Sequence, residues 1–314
     1  MGQRGARPAL TLRDLHQAYL SDLKRIGRKA NTLYRYATIL SVWERWLQLT
    51  FKRLPPPDVL SKQLLRDHYD WLLETGLHGK PRGPETARKH MVTIQNCWAW
   101  AVLEDDWSDI TPPARRLALQ RPPTTPAVAP TWAEMDRAIL AAPPAQARLA
   151  VLLRFTGLRV QQAMELRWED FDLDRAELTI RGELGKSLSE RGGRVIPISH
   201  HLVGRLRADD WEKEGSFVVP SNRIQGERER KARARDMAAA WARAGVREAA
   251  WRKQPHHAFR KGFTSGLHLE GADVEAVEYL IGHSAGIRRH YVDPRALSLV
   301  NTVALIPAIG EREN

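Results

Sequence analysis

Apolar residues recur every three or four positions through much of this chain, and two short stretches show instead the pattern of strands. In "NTLYRYATILSVWERWL" (31–47), Leu33, Tyr36, Ala37, Leu40, Trp43 and Leu47 share one helical face. In "PETARKHMVTIQNCWAWAVLEDD" (84–106), Ala87, Met91, Ile94, Trp98 and Val102 do the same, with Pro84 suited to a first turn. "SKQLLRDHYDWLLETG" (61–76) predicts a further helix that Gly76 can end. The tryptophans fall on these apolar faces and are expected in the core. Further on, Thr131 and Glu134 have the spacing of a capping box, and "AQARLAVLLRFTG" reads as a buried helix. "AELTIRG" and "RVIPIS" instead read as two strands joined by a polar hairpin. The fold class predicted is mainly α with a small β-sheet (α+β).

Six prolines between 112 and 130 exclude a helix interior or a central strand there. The chain is therefore expected to divide into a short N-terminal tail (1–10), a helical domain (11–111), a Pro-rich linker (112–130), a mixed second domain (131–294) and a C-terminal tail (295–314). Leu297, Val300, Val303 and Ala304 give that tail a short apolar stripe, for which packing on its own domain and docking on a neighbouring protomer are the two readings.

Charge narrows the range of partners. Forty-nine Lys and Arg stand against 37 Asp and Glu, a formal net charge of +12, and such a field attracts polyanions, nucleic acid first among them. No apolar run reaches the length of a membrane span, and the N-terminus lacks the apolar core of a signal peptide, so the expected location is cytoplasmic, nucleoid-associated when on DNA. Cys97, the single cysteine, leaves no intrachain disulfide and no cysteine-based zinc site. The cations Lys29, Arg35 and Arg88 on polar faces of the first domain are candidate phosphate contacts, as are Arg228 and Arg233 in the Arg-rich "RIQGERERKARARDMAAAWARAGVR" (223–247). A solvated charged face is the competing reading for each.

Two local patterns imitate ligand loops and fail. Asp170, Asp172 and Asp174 begin like a calcium loop, but Arg175 and Arg181 occupy the positions that need Gly and Glu. "GELGKS" (182–187) has two residues between its glycines where a phosphate loop needs four, and it leads into a strand. What remains is Lys186 on a polar hairpin.

Four other stretches acquire meaning in order: "TGLR" with Arg159, "HHAFR" with His257 and Arg260, "LIGHS" with His283, and then Tyr291 behind Arg288, Arg289 and His290. Together they resemble the tyrosine recombinase (phage-integrase-like) family, and the helical first domain is similar to that family's core-binding domain. The resemblance implies that the two domains form a clamp on DNA and that the chain is a site-specific DNA recombinase. It would cleave and rejoin strands through a 3′-phosphotyrosyl bond, with no metal, no ATP and no other cofactor. Tyr291 is then the nucleophile, Arg159 and Arg260 hold the phosphate oxygens, His283 adds a donor, His257 accepts the tyrosine proton and Lys186 protonates the leaving 5′ oxygen. The partners implied are double-stranded DNA, a homo-tetramer on paired sites with the tail docked on a neighbouring protomer, and accessory DNA-bending proteins. Departures from the family pattern are Gln162 in place of Glu, Phe259 in place of Leu, Lys261 in place of His, a longer hairpin after Lys186 and a His283–Tyr291 spacing one residue short. They leave two alternatives open, a DNA-binding relative without chemistry and a topoisomerase-like relaxing enzyme.

Overall fold

The computed structural model describes residues 11–104, 119, 128–184, 193–208, 211, 215–220, 227–246, 249–283 and 297–311, with backbone alone at 227–230, 249 and 250. The chain forms two compact units, Met1–Pro126 and Ala127–Asn314.

The first unit is built from α1 (Leu12–Arg25), α2 (Ala30–Phe51), α3 (Lys62–Glu74) and α4 (Pro84–Ala101). Thr11 and Asp14 close a capping box at the start of α1, and Ser61 caps α3 through the amide of Leu64. The apolar stripes meet inside: Leu15, Leu40, Trp43, Leu47, Leu65, Met91, Ile94 and Trp98 are all buried. Trp98 also needs a partner for its indole N–H, and donates to the Pro57 carbonyl at 2.9 Å. Cys97 is buried here as well. Val102, placed on the apolar face by spacing, instead caps α4 and is exposed, because the helix has ended.

In the second unit, α5 (Trp132–Leu140), α6 (Pro144–Thr156) and α7 (Val160–Met164) precede an antiparallel sheet of β1 (Phe171–Asp172), β2 (Glu177–Ile180) and β3 (Arg194–Pro197) in the order β1-β2-β3. The helices α8 (His200–Arg207), α9 (Glu227–Arg243), α10 (Ala249–Lys253), α11 (Pro255–Leu269), α12 (Val274–Ile281) and α13 (Leu299–Ala304) follow. Thr131 and Glu134 do form the capping box. The sheet has one strand more than the sequence suggested. Asp172 turns the chain from β1 to β2 by accepting the amides of Asp174 and Arg175, while buried Asp170 pairs with Arg181 at 3.0 Å. The acidic run is thus consumed by a turn and an ion pair.

Of the two readings of the C-terminal segment, the single chain shows one. In the single chain it packs on its own unit: Val303 and Ile306 are buried, whereas Val300 and Ala304 of the supposed stripe are exposed. An ion pair beneath it explains the hold. Arg154, fully buried, donates to Asp136 and to the Pro307 carbonyl (2.9 Å), and Asp136 accepts the Gly310 amide (3.0 Å). Two charges buried this deeply are tolerable only with such complete pairing.

Candidate active site

A tight turn between α6 and α7 starts the site. Gly157 ends α6 at φ +60, the left-handed region that an L side chain rarely adopts, and Phe263 of α11 fills the space a Cβ would need. Leu158 is buried, so the next residue, Arg159, sits half-buried as the N-cap of α7. From α11, Arg260 reaches the same turn. It is 4% exposed, and its Nη1 donates to the Gly157 carbonyl at 2.8 Å. Two arginines distant in sequence therefore share one turn.

His257 lies one helical turn before Arg260 on α11, on the exposed side, while the adjacent His256 turns inward to Gln146 (3.3 Å). The pKa of His257 is lowered from its ordinary value, first by burial of the ring, then by the charges of Arg260, Lys261, Arg159 and His283. Those charges act on His257 from α11 itself, from the α6–α7 turn and from the end of α12, so Arg159, Arg260, Lys261 and His283 all lie within electrostatic reach of its ring. His283 is exposed, one residue beyond the Gly282 cap of α12. A ring kept neutral beside two guanidinium groups can accept a proton where an anion would be held.

Gln162, 2% exposed, is the departure with the clearest consequence. Its Oε1 accepts the Arg159 amide (3.2 Å) and its Nε2 donates to the Leu184 carbonyl (3.4 Å). A carboxylate could make the first bond but not the second. At the same end of the sheet, Arg181 donates to the Glu165 carbonyl (2.6 Å) and Arg194 donates to the Leu280 carbonyl (3.2 Å). From sequence Gln162 was noted only as a departure from the family and Arg181 only as a mismatch to a calcium loop, and Arg194 was not singled out. Each works through a partner on another element, and only the position of Arg181 at the end of a strand next to an acidic run hinted at it.

Lys186 and Tyr291 lie outside the described residues, and so does the side chain of Arg228. Arg35 is exposed, and Arg88 is partly covered and paired with Glu85 at 3.2 Å. Lys29, exposed, is the N-cap of α2. Arg233 is a correction. It is 7% exposed and donates to the Pro220 carbonyl, so it serves the interior and does not face DNA. The signal was present in sequence: Arg233, Met237, Ala240 and Trp241 fall on the i, i+4, i+7, i+8 stripe of α9, and all four are buried. Among the described residues no group of three or more His, Cys, Asp or Glu could hold a metal ion, and no helix is long and apolar enough to cross a membrane.

Comparison with known proteins agrees with this geometry. Residues 134–296 match the phage integrase family. Over 218 residues the chain is 26% identical to tyrosine recombinase XerC of Xanthomonas campestris pv. campestris, covering 67% of this chain but only 64% of the relative, so the match spans a little under two thirds of that protein's length. It is 31% identical over 172 residues to tyrosine recombinase XerA of Thermococcus kodakarensis, covering 52% of this chain and 58% of the relative. Its fold is shared with a lambda integrase tetramer bound to a Holliday junction, with a TM-score of 0.62 at 15% identity, covering 91% of this chain and 84% of that one. With more than half of its length inside the family match, the chain belongs to the phage integrase family of tyrosine recombinases.

Proposed function

We propose that this protein is a site-specific DNA recombinase that breaks and rejoins strands through a phosphotyrosine bond. The observation that carries the reading is the cluster of Arg159, Arg260, His257 and His283, contributed by three separate parts of the second unit. When a phosphodiester is attacked, its non-bridging oxygens gain negative charge. Arg159 and Arg260 meet that charge with planar forks of donors, that of Arg260 fixed beforehand on the Gly157 carbonyl, and preorganised charge of this kind is commonly the largest contribution to rate. The Tyr291 hydroxyl attacks phosphorus, and its proton passes to the neutral ring of His257. The bond from phosphorus to the 5′ oxygen breaks, and Lys186 gives that oxygen its proton. The phosphotyrosyl bond conserves the energy of the broken linkage, so a second 5′ hydroxyl can reverse the step. His283 donates to the same phosphate.

The partner is duplex DNA, in keeping with a net charge of +12. Lys29, Arg35, Arg88 and Arg228 are proposed as contacts to its backbone. The assembly proposed is a homo-tetramer on paired sites, an arrangement supported by the lambda integrase tetramer that shares the fold. In such an assembly the exposed Val300 is available for a neighbouring protomer.

The test uses a library of random-sequence duplexes, each with a nick that lets the cleaved 5′ end diffuse away. Incubated in EDTA, the protein is expected to trap a subset covalently, and sequencing that subset reads out the site. Tyr291→Phe is expected to shift the same duplexes in a gel and trap none. Binding without any covalent product from the unaltered protein, or trapping that survives Tyr291→Phe, would refute the proposal.

A further inference from the structure

His283 stands on a turn that needs outside support. The helix α12 ends at Ile281, and Gly282 then takes φ +69. The amides of Gly282 and His283 fold back onto the carbonyls of Tyr279 (3.0 Å) and Glu278 (2.9 Å), as they do where a helix is closed by a left-handed glycine. A further carbonyl of the last turn, that of Leu280, accepts from Arg194 Nη2 at 3.2 Å. Arg194 is the first residue of β3, 86 positions away in sequence. Its guanidinium lies directly on the glycine: a Cβ at position 282 would stand 2.6 Å from Nη1 and 2.7 Å from both Cζ and Nη2. Gly282 is thus required for its backbone angle and for the close approach of the guanidinium. The cation also faces the negative end of the α12 dipole, where positive charge is favourable.

We infer that Arg194 is a positioning residue for His283 in the DNA-cleavage step. It holds the cap of α12 against the edge of the sheet, so the residue that follows the cap projects in one direction toward Arg159, His257 and Arg260. The inference rests on the reading that His283 serves the scissile phosphate. It adds that the reach of His283 is set from β3 and not by α12 alone. Misplacement of a reacting group by about 1 Å can cost on the order of a hundredfold in rate, so a fixed cap matters to this residue more than to an ordinary helix end.

A double-mutant cycle tests it, with the nicked duplex recovered from the library as probe and the rate of covalent trapping at saturating protein as readout. Arg194→Ala is expected to slow trapping about tenfold, the effect of losing one hydrogen bond from a charged donor. In a His283→Ala background the same change is expected to slow it less than twofold, because the group it positions is gone. Arg194→Lys keeps the charge and a donor for Leu280, and is expected to recover to within about threefold of the unaltered rate. DNA binding and unfolding midpoint are measured beside each rate, and if Arg194→Ala does not fold, Arg194→Met, which keeps the bulk of the side chain but has no donor for Leu280, is carried through the cycle in its place with the same expected loss of about tenfold. A full tenfold loss in both backgrounds overturns the inference and leaves the proposed function standing. A His283→Ala protein that traps DNA at the unaltered rate overturns the role of His283 and the inference together.

Discussion

The pKa of His257 lies below its ordinary value because burial and the charges of Arg260, Lys261, Arg159 and His283 oppose protonation. Arg260, Lys261 and Arg159 all act in the same direction, and of these Lys261 has no assigned part in the chemistry. Replacing it with Gln removes one repulsive charge without touching the phosphate-holding arginines. The ring of His257 should then titrate at a higher pH in Lys261→Gln than in the unaltered protein, and the acid limb of the trapping rate should move the same way. Following the ring proton resonance of His257 against pH measures the first effect, and an unmoved or lowered midpoint contradicts it. The spacing of His257 and Arg260 was legible in the sequence because one helical turn separates them. Which member of the His256–His257 pair turns inward was not, since that depends on where Gln146 of α6 lies. The inward turn of Arg233 could have been read, and was obscured by the density of charge around it.

Among the elements, the turn joining α6 to α7 carries the most consequence per residue. Gly157 holds a left-handed angle, lies against Phe263, and offers its carbonyl to Arg260. Alanine there meets both the backbone strain, about 1–2 kcal/mol, and the Phe263 ring, about 1–3 kcal/mol before the ring gives way. Gly157→Ala is expected to destabilise the second unit by about 2–4 kcal/mol, read as a lowered urea midpoint, and to slow trapping because Arg260 loses its seat. A change within about 0.5 kcal/mol would show that the turn yields freely. A glycine followed by a displayed arginine was visible in "TGLR", whereas the reason for the glycine was not, because Phe263 is more than a hundred residues away. β1 escaped detection for a different reason: two residues, Phe171 and Asp172, show no periodicity. The roots of the sheet share this limit. Arg181 and Arg194 are gripped by Glu165 and Leu280, and no pattern local to either arginine names those partners.

Each unit encloses histidines that must stay neutral, and this couples the stability of the whole molecule to pH. In the first unit His68 is fully buried among Trp43, Trp46 and Trp71, and neither ring nitrogen has a hydrogen-bond partner. Burial, then the neighbouring His90, pushes its pKa down from 6.5 to about 3. Burial, then Arg82, pushes that of His90 to about 4. In the second unit burial, then Arg233, takes His256 to about 4. A histidine whose folded pKa is depressed binds more protons unfolded than folded once the pH falls below the unfolded value. Stability is therefore complete above about 6.5 and is lost progressively as pH falls toward 4, by roughly 1.4 kcal/mol per pH unit for each such histidine. His68→Phe keeps an aromatic ring in the tryptophan cluster and removes one proton-binding site. Hydrogen exchange of the α3 and α4 amides reports on the first unit alone. Between pH 6 and 5, the free energy of opening is expected to fall less steeply in His68→Phe than in the unaltered protein, by roughly 1.4 kcal/mol per pH unit. Parallel lines would mean that the folded unit accommodates a protonated His68, and that the first unit does not lose stability in acid in the way its buried ring requires.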